Sequence, residues 1–303
     1  MRKNFCSTIE KIAVENEKII FLTGDLGFMA LEGVRAAIGE RFINAGVSEQ
    51  NMVSMAAALA SEGFMVFCYS IAPFVVFRPA EQIRLDVCLH DMDVKLIGNG
   101  GGYGYGIMGS THHAIEDIAV LSSFQNMKCY IPFCSEDVPE IIMQMVARSG
   151  PAYLRLERGD KPEKLSLPAY KHTRKLSGGD KITLVAMGSV TLNALQAVDL
   201  FGEKLADLFV ISEIPIPELT EELAESIKKT GRLLVVEEHV SRGGLGENLS
   251  LLLLKKSIAP KKFRHLCANG YPEGLYGDQK YHQKDSQLDV ESVELNIKDL
   301  IHG

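Results

Sequence analysis

The architecture of this chain can be read from residues 42–69, FINAGVSEQNMVSMAAALASEGFMVFCY. The run 42–45 is short and apolar, a strand candidate closed by Gly46. Ser48 stands where a helix cap belongs, and Met52, Val53, Met55, Ala56, Leu59 and Ala60 follow at the 3–4 spacing of one helix face, until Gly63 stops the pattern. A second apolar run, 65–69, follows at once. Short, nearly continuous apolar strands separated by a helix predict a parallel sheet covered on both faces.

The same alternation extends in both directions. Further strands are expected at 19–23, 94–97, 129–132 and 152–156, with helices near 4–15, 79–90, 114–123 and 136–148. Residues 158–180, RGDKPEKLSLPAYKHTRKLSGGD, interrupt it with lysines, prolines and a Gly-Gly pair, the composition of a linker. The rhythm then resumes, with strands at 182–186, 208–211, 233–236 and 263–267 and helices at 190–204, 218–229, 245–256 and 289–300. The expectation is an α/β protein of two three-layer αβα domains: residues 1–160, a linker at 161–180, and residues 181–303.

Composition sets outer bounds. The 303 residues are 46% hydrophobic and 23% charged, which excludes disordered, collagen-like and coiled-coil chains. A net charge of −7 offers no basic surplus for nucleic acid or an anionic membrane. Six cysteines occur without a CxxC pair, so buried reduced thiols are expected rather than disulfides or a zinc ribbon. Residues 1–18 lack the apolar centre of a signal peptide, and Ser61-Glu62-Gly63 and Pro73 break the most apolar stretch, 54–77. The reading is a cytoplasmic protein.

Several residues stand where chemistry belongs. The segment Gly98-Asn-Gly-Gly-Gly-Tyr-Gly-Tyr-Gly106 follows a strand, where ligands of open α/β sheets sit, yet it matches neither a dinucleotide fingerprint nor a P-loop. His112 and His113 come next. Adjacent histidines do not share a helix face, so they form no chelating pair; one could bond ligand hydroxyls, or the pair could simply cap a turn. Glu49 opens a helix, as a dipole-favoured acid or as a functional carboxyl. Asp25 could face a cationic ring or shape a turn, and Phe74, Phe77 and Arg78 follow a strand end where a flat ligand could stack. Arg2, Arg155 and Arg158 are the phosphate candidates. Arg242-Gly-Gly-Leu-Gly imitates a nucleotide fingerprint with the glycines in the wrong order.

Five segments in fixed order carry a resemblance: Thr23-Gly-Asp-Leu-Gly27; residues 42–51; Tyr69-Ser-Ile-Ala-Pro-Phe74 through Glu81-Gln-Ile-Arg84; Gly109-Ser-Thr-His-His-Ala-Ile-Glu-Asp117; and Tyr153-Leu-Arg-Leu-Glu-Arg-Gly159. Together they resemble, end to end, the carboxy-terminal half of transketolases, in the form of the separate subunit of split transketolases and their deoxyxylulose-phosphate-synthase-like relatives. The resemblance implies a pyrimidine-binding domain followed by a transketolase carboxy-terminal domain, with thiamine diphosphate and Mg²⁺ as cofactors. Glu49 matches the glutamate that bonds N1′ of the aminopyrimidine, Phe74 and Phe77 match the aromatic stretch around that ring, and Asp25 matches an aspartate near the thiazolium. His112 matches the histidine on the substrate's hydroxyls and carbonyl, and Arg158 and Arg2 match the phosphate-binding arginines. No metal ligand is expected in this chain.

Three departures qualify what the resemblance implies. Met108 and Met29 occupy positions where full-length transketolases carry a substrate-reading aspartate and a phosphate-binding serine. The GDG motif that holds Mg²⁺ and the diphosphate occurs nowhere in the chain. The expected partner is therefore an amino-terminal transketolase subunit carrying GDG, in an α2β2 assembly acting on sugar phosphates. Alternatives are a pyruvate-using synthase-like enzyme or 2-oxo acid dehydrogenase β subunit, and a non-catalytic α/β scaffold.

Overall fold

The computed structural model describes residues 1–27, 29–202 and 204–303. Its first sheet contains β1 (Ile19–Thr23), β2 (Phe42–Asn44), β3 (Met65–Ile71), β4 (Val94–Asn99), β5 (Lys128–Tyr130) and β6 (Ala152–Leu156). The second contains β7 (Thr173–Ser177), β8 (Gly179–Met187), β9 (Lys204–Ile211), β11 (Arg232–Glu237) and β12 (Lys262–Leu266), while β10 (Glu213–Ile214) leaves it to join the first. The strand orders are β10-β5-β6-β4-β3-β1-β2 and β12-β11-β8-β9-β7. Every pairing is parallel except β10 on β5 and β7 on β9, at one edge of each sheet.

Alternation along β1 shows why the first sheet is covered twice. Ile20 and Leu22 pack with Met52, Val53 and Ala56 of the helix Glu49–Ser61. Ile19 and Phe21 point the other way, onto Phe5 and Ile9 of the helix Arg2–Glu15. Side chains at i and i+2 share a face, so each strand feeds both cores. Burying each large apolar side chain contributes about 1.5–3 kcal/mol. The α/β expectation of two sheets with helices on both faces is therefore met.

Local expectations fare unevenly. Ser48 occupies the N-cap position, but its hydroxyl makes no capping bond; only its carbonyl enters the helix, accepting from the Met52 N–H at 2.9 Å. The expected connector 161–180 contains all of β7, antiparallel to β9, so part of that polar stretch is sheet edge. β10, two residues long, pairs Glu213 with Tyr130 and Ile214 with Cys129. The second half thus lends a strand to the first sheet. One apolar cluster also runs across both halves, joining Ile118 and Leu121 to Phe209, Val235 and Leu249. The helix Glu32–Ile38 was not anticipated. All six cysteines are free thiols, and all but Cys267 are buried. No helix among the described residues is long and apolar enough to cross a membrane.

Candidate active site

In the first sheet the chain moves from β1 to β2 on one side, then returns to β3 on the other. The crevice past the carboxyl ends of β1 and β3 is thus a topological switch point, where open α/β sheets bind ligands. The segments after β1, β2, β3, β4 and β6 all start at that edge, and they carry Asp25, Glu49, Phe74, His112 and Arg158 in turn.

Glu49 is buried, with 3% of its surface exposed, although it starts a helix. Both its carboxylate oxygens accept from one nitrogen of Arg78, at 2.9 and 3.0 Å. Ser70 at the end of β3 places its hydroxyl 3.4 Å from Oε1. The backbone of Gly24 backs onto the same group: a Cβ there would lie 3.5 Å from the Ser70 hydroxyl and 3.7 Å from Glu49 Oε1. The helix Ala72–Phe77 carries Pro73 in its first turn and sets Phe74 and Phe77 one turn apart. The Arg78 guanidinium lies 3.8 Å above the Phe74 ring, and the other neighbour of that ring is His112, edge-on at 5.2 Å. Phe77 is 38% exposed, and among the described residues it stacks on no other ring. Glu49, Arg78, Val47 and Ser48 border an open hollow of about 570 Å³.

Asp25 adopts a left-handed backbone (φ 57°) and is fixed by Asn44, which donates to its carboxylate at 2.8 Å and accepts its N–H at 3.1 Å. It therefore shapes the turn, and it also lines a cavity of about 310 Å³ with Thr23, Glu32 and Arg35. Arg2 and Arg158 come together on a cleft of about 510 Å³ with Asn99 and Tyr105. Tyr105 ties that cleft to the rest, since its ring packs 5.7 Å from His112. The His112 Nδ1 lies 2.9 Å from the Thr111 hydroxyl, and Nε2 bonds to nothing among the described residues.

One candidate is corrected. Arg155 is no phosphate ligand. It is 1% exposed, pairs with Glu157 at 3.0 Å and donates to the Glu238 carbonyl at 2.8 Å, pinning the two halves together. In Arg242-Gly-Gly-Leu-Gly, whose glycine order already told against a nucleotide loop, the N–H groups of Leu245 and Gly246 donate to the Glu237 carboxylate at 2.7 and 2.9 Å.

Arg78 was left ambiguous by the sequence, and Ser70 and Asn44 were not singled out. Asn44 stood in view, two residues before the glycine that closes β2. Ser70 carried no local signal, because its role depends on β3 lying beside β1.

Both halves of the chain fall in described families. The transketolase pyrimidine binding domain matches residues 1–163 and the transketolase C-terminal domain matches residues 171–293. The chain belongs to the transketolase family, whose enzymes depend on thiamine diphosphate, and is a transketolase-type transferase subunit. It is 34% identical, over 84% of its own length and 83% of the relative's, to one subunit of an apulose-4-phosphate transketolase from Actinobacillus succinogenes. It is 28% identical to a 1-deoxy-D-xylulose-5-phosphate synthase from Clostridium perfringens, spanning 99% of this chain but 49% of that enzyme. Among solved structures it superposes on a split-gene transketolase, described as an inactive β4 tetramer, with a TM-score of 0.83 and 27% identity, covering 99% of this chain and 97% of that one.

Proposed function

We propose that this chain supplies the pyrimidine side of a two-chain transketolase that moves a two-carbon ketol unit between sugar phosphates. The observation that carries the reading is Glu49: a buried carboxylate at the switch point, facing an open hollow beside an aromatic ring. That setting suits a flat, polar heterocycle, with the carboxyl for a ring nitrogen, Phe74 for its face and Phe77 at the rim. Thiamine diphosphate would supply, when bound, a thiazolium carbon acidic enough to give up its proton and so act as the nucleophile toward a ketose carbonyl.

Within this reading Glu49 holds a proton at the pyrimidine N1′, and Asp25 borders the cofactor on the β1 side. His112 offers its free nitrogen to substrate hydroxyls and the carbonyl. Arg158 and Arg2 take the substrate phosphate by charge-assisted bonds. Mg²⁺ and the diphosphate are held by a partner subunit carrying GDG, in an α2β2 assembly. One observation supports that division. The rim is apolar and open, with Val47, Ile107 and Met108 exposed by 69, 74 and 52%.

The test is calorimetric. Thiamine diphosphate with Mg²⁺ is titrated into this chain, into a GDG-bearing companion recovered with it from the native source, and into the mixture. Binding by the mixture alone is expected, and cofactor-dependent ketose turnover by this chain alone contradicts the proposal. A second reading, pyruvate as donor, draws on the thioethers of Met29 and Met108, which cannot donate to sugar hydroxyls. Release of CO₂ from pyruvate by the complex would select it.

A further inference from the structure

The fold gives the two adjacent histidines opposite fates. His112 is half-buried and faces Phe74, whereas His113 is 2% exposed. His113 Nε2 lies 2.8 Å from the Gly106 carbonyl and Nδ1 lies 2.8 Å from the Tyr271 hydroxyl. A carbonyl oxygen only accepts, so Nε2 carries the hydrogen, and the neutral ring then accepts from Tyr271 at Nδ1. Burial supports this form by pushing the imidazole down to about 4.

Tyr271 belongs to the second half of the chain, and other contacts from that half hold the same loop. Tyr103 donates its N–H to Glu238 at 2.7 Å and its hydroxyl to the Gly270 carbonyl at 3.0 Å. Ser110 and Tyr276 share a hydroxyl contact at 3.0 Å. The Tyr276 ring lies flush on Gly109, whose φ is +72° and where a Cβ would come within 2.9 Å of the ring. The Gly109 carbonyl in turn accepts the N–H groups of both His112 and His113, at 2.9 and 3.1 Å. Residues 106–113 therefore form one turn, clamped at Gly106 by His113 and at Gly109 by Tyr276.

We propose that His113 and Tyr271 are positioning residues for His112, so that the second half of the chain sets the substrate-facing histidine of the first. This rests on the reading of His112 given above. A small misplacement of a substrate-binding group costs up to about a hundredfold in rate.

The experiment is a double-mutant cycle in the complex with the companion subunit, using a pentulose phosphate as donor. Tyr271→Phe should lower kcat/KM roughly ten- to hundredfold in the wild-type background. In the His112→Ala background it should cost less than about twofold, since a residue acting through His112 has nothing left to act on. Thiamine diphosphate affinity should not move. His113→Gln, which retains a donor for the Gly106 carbonyl, should keep more activity than His113→Leu. Equal losses from Tyr271→Phe in both backgrounds would overturn the proposal. Hydrogen exchange at amides 106–114 tests the clamp without turnover: Tyr271→Phe should speed it roughly tenfold, the worth of one hydrogen bond. Unchanged exchange would overturn the clamp. If His112→Ala instead keeps wild-type turnover, the reading of His112 fails, and with it the positioning role, even where exchange shows the clamp to be real.

Discussion

Arg78 grips both carboxylate oxygens of Glu49 while its guanidinium lies 3.8 Å over the Phe74 ring. One planar cation thus covers the aromatic face and saturates the buried acid. These are the two groups that the proposed function assigns to the cofactor's pyrimidine, and Arg78, 44% exposed, has solvent to move into.

Competition at one spot predicts a gain on removal. Arg78→Met should tighten thiamine diphosphate binding by the assembled enzyme roughly three- to tenfold, because an exposed-to-buried ion pair of this kind is worth about 1 kcal/mol. Calorimetry on the two complexes checks it. Weaker binding would mean that Arg78 holds the cofactor rather than its place.

The arginines of β6 and its loop should separate cleanly. Arg155→Met leaves Glu157 buried without its partner and should cost about 3–5 kcal/mol in denaturant unfolding. Arg158→Ala, on an exposed side chain, should change stability by no more than about 0.5 kcal/mol. The same change should raise KM for a phosphorylated ketose roughly ten- to hundredfold, as expected for losing a bond to a charged group. An unphosphorylated ketose should show no such rise.

Acid should loosen the junction between the halves. Burial lowers the pKa of His113, His239 and His282 in the folded protein. The unfolded chain then binds more protons than the folded one below pH 6.5, so their contribution is complete above that pH and drains away as pH falls toward the folded values. For His113, lowered to about 4, the loss at pH 5 is on the order of 1 kcal/mol. Burial raises the pKa of Glu238 in the same junction, which opposes the trend. His113→Gln should therefore show a shallower decline in denaturant midpoint from pH 7 to pH 5 than wild type, and parallel declines would contradict the assignment.

How much of this was legible beforehand follows from where each signal lies. The helix Glu49–Ser61 and strands β1 and β3 declared themselves because their apolar spacing is local and strong. β7, Thr-Arg-Lys-Leu-Ser, looked like a linker because an edge strand buries little and keeps its charges. β10 is too short to leave a pattern. Glu49, His112 and Arg158 were marked by their places after strands, and Phe74 by Pro73. Arg155 differed from Arg158 only in lying inside the expected strand 152–156, and its role as a buried brace depends on the arrival of Glu238 from the second half. Tyr271 and Tyr276 were invisible for the same reason: their partner, the glycine loop and the turn after it, is more than 150 residues away.

Glu49→Gln in the reconstituted complex is the most direct measure of the whole account. The amide keeps the shape of the site and one acceptor oxygen toward Arg78, but cannot exchange a proton with N1′. Ketose turnover should fall by about 10²–10⁴, with stability changed by no more than about 1 kcal/mol, the worth of the ion pair to Arg78. Turnover within about threefold of wild type would reduce Glu49 to a helix-terminal acid and remove the catalytic reading of this chain.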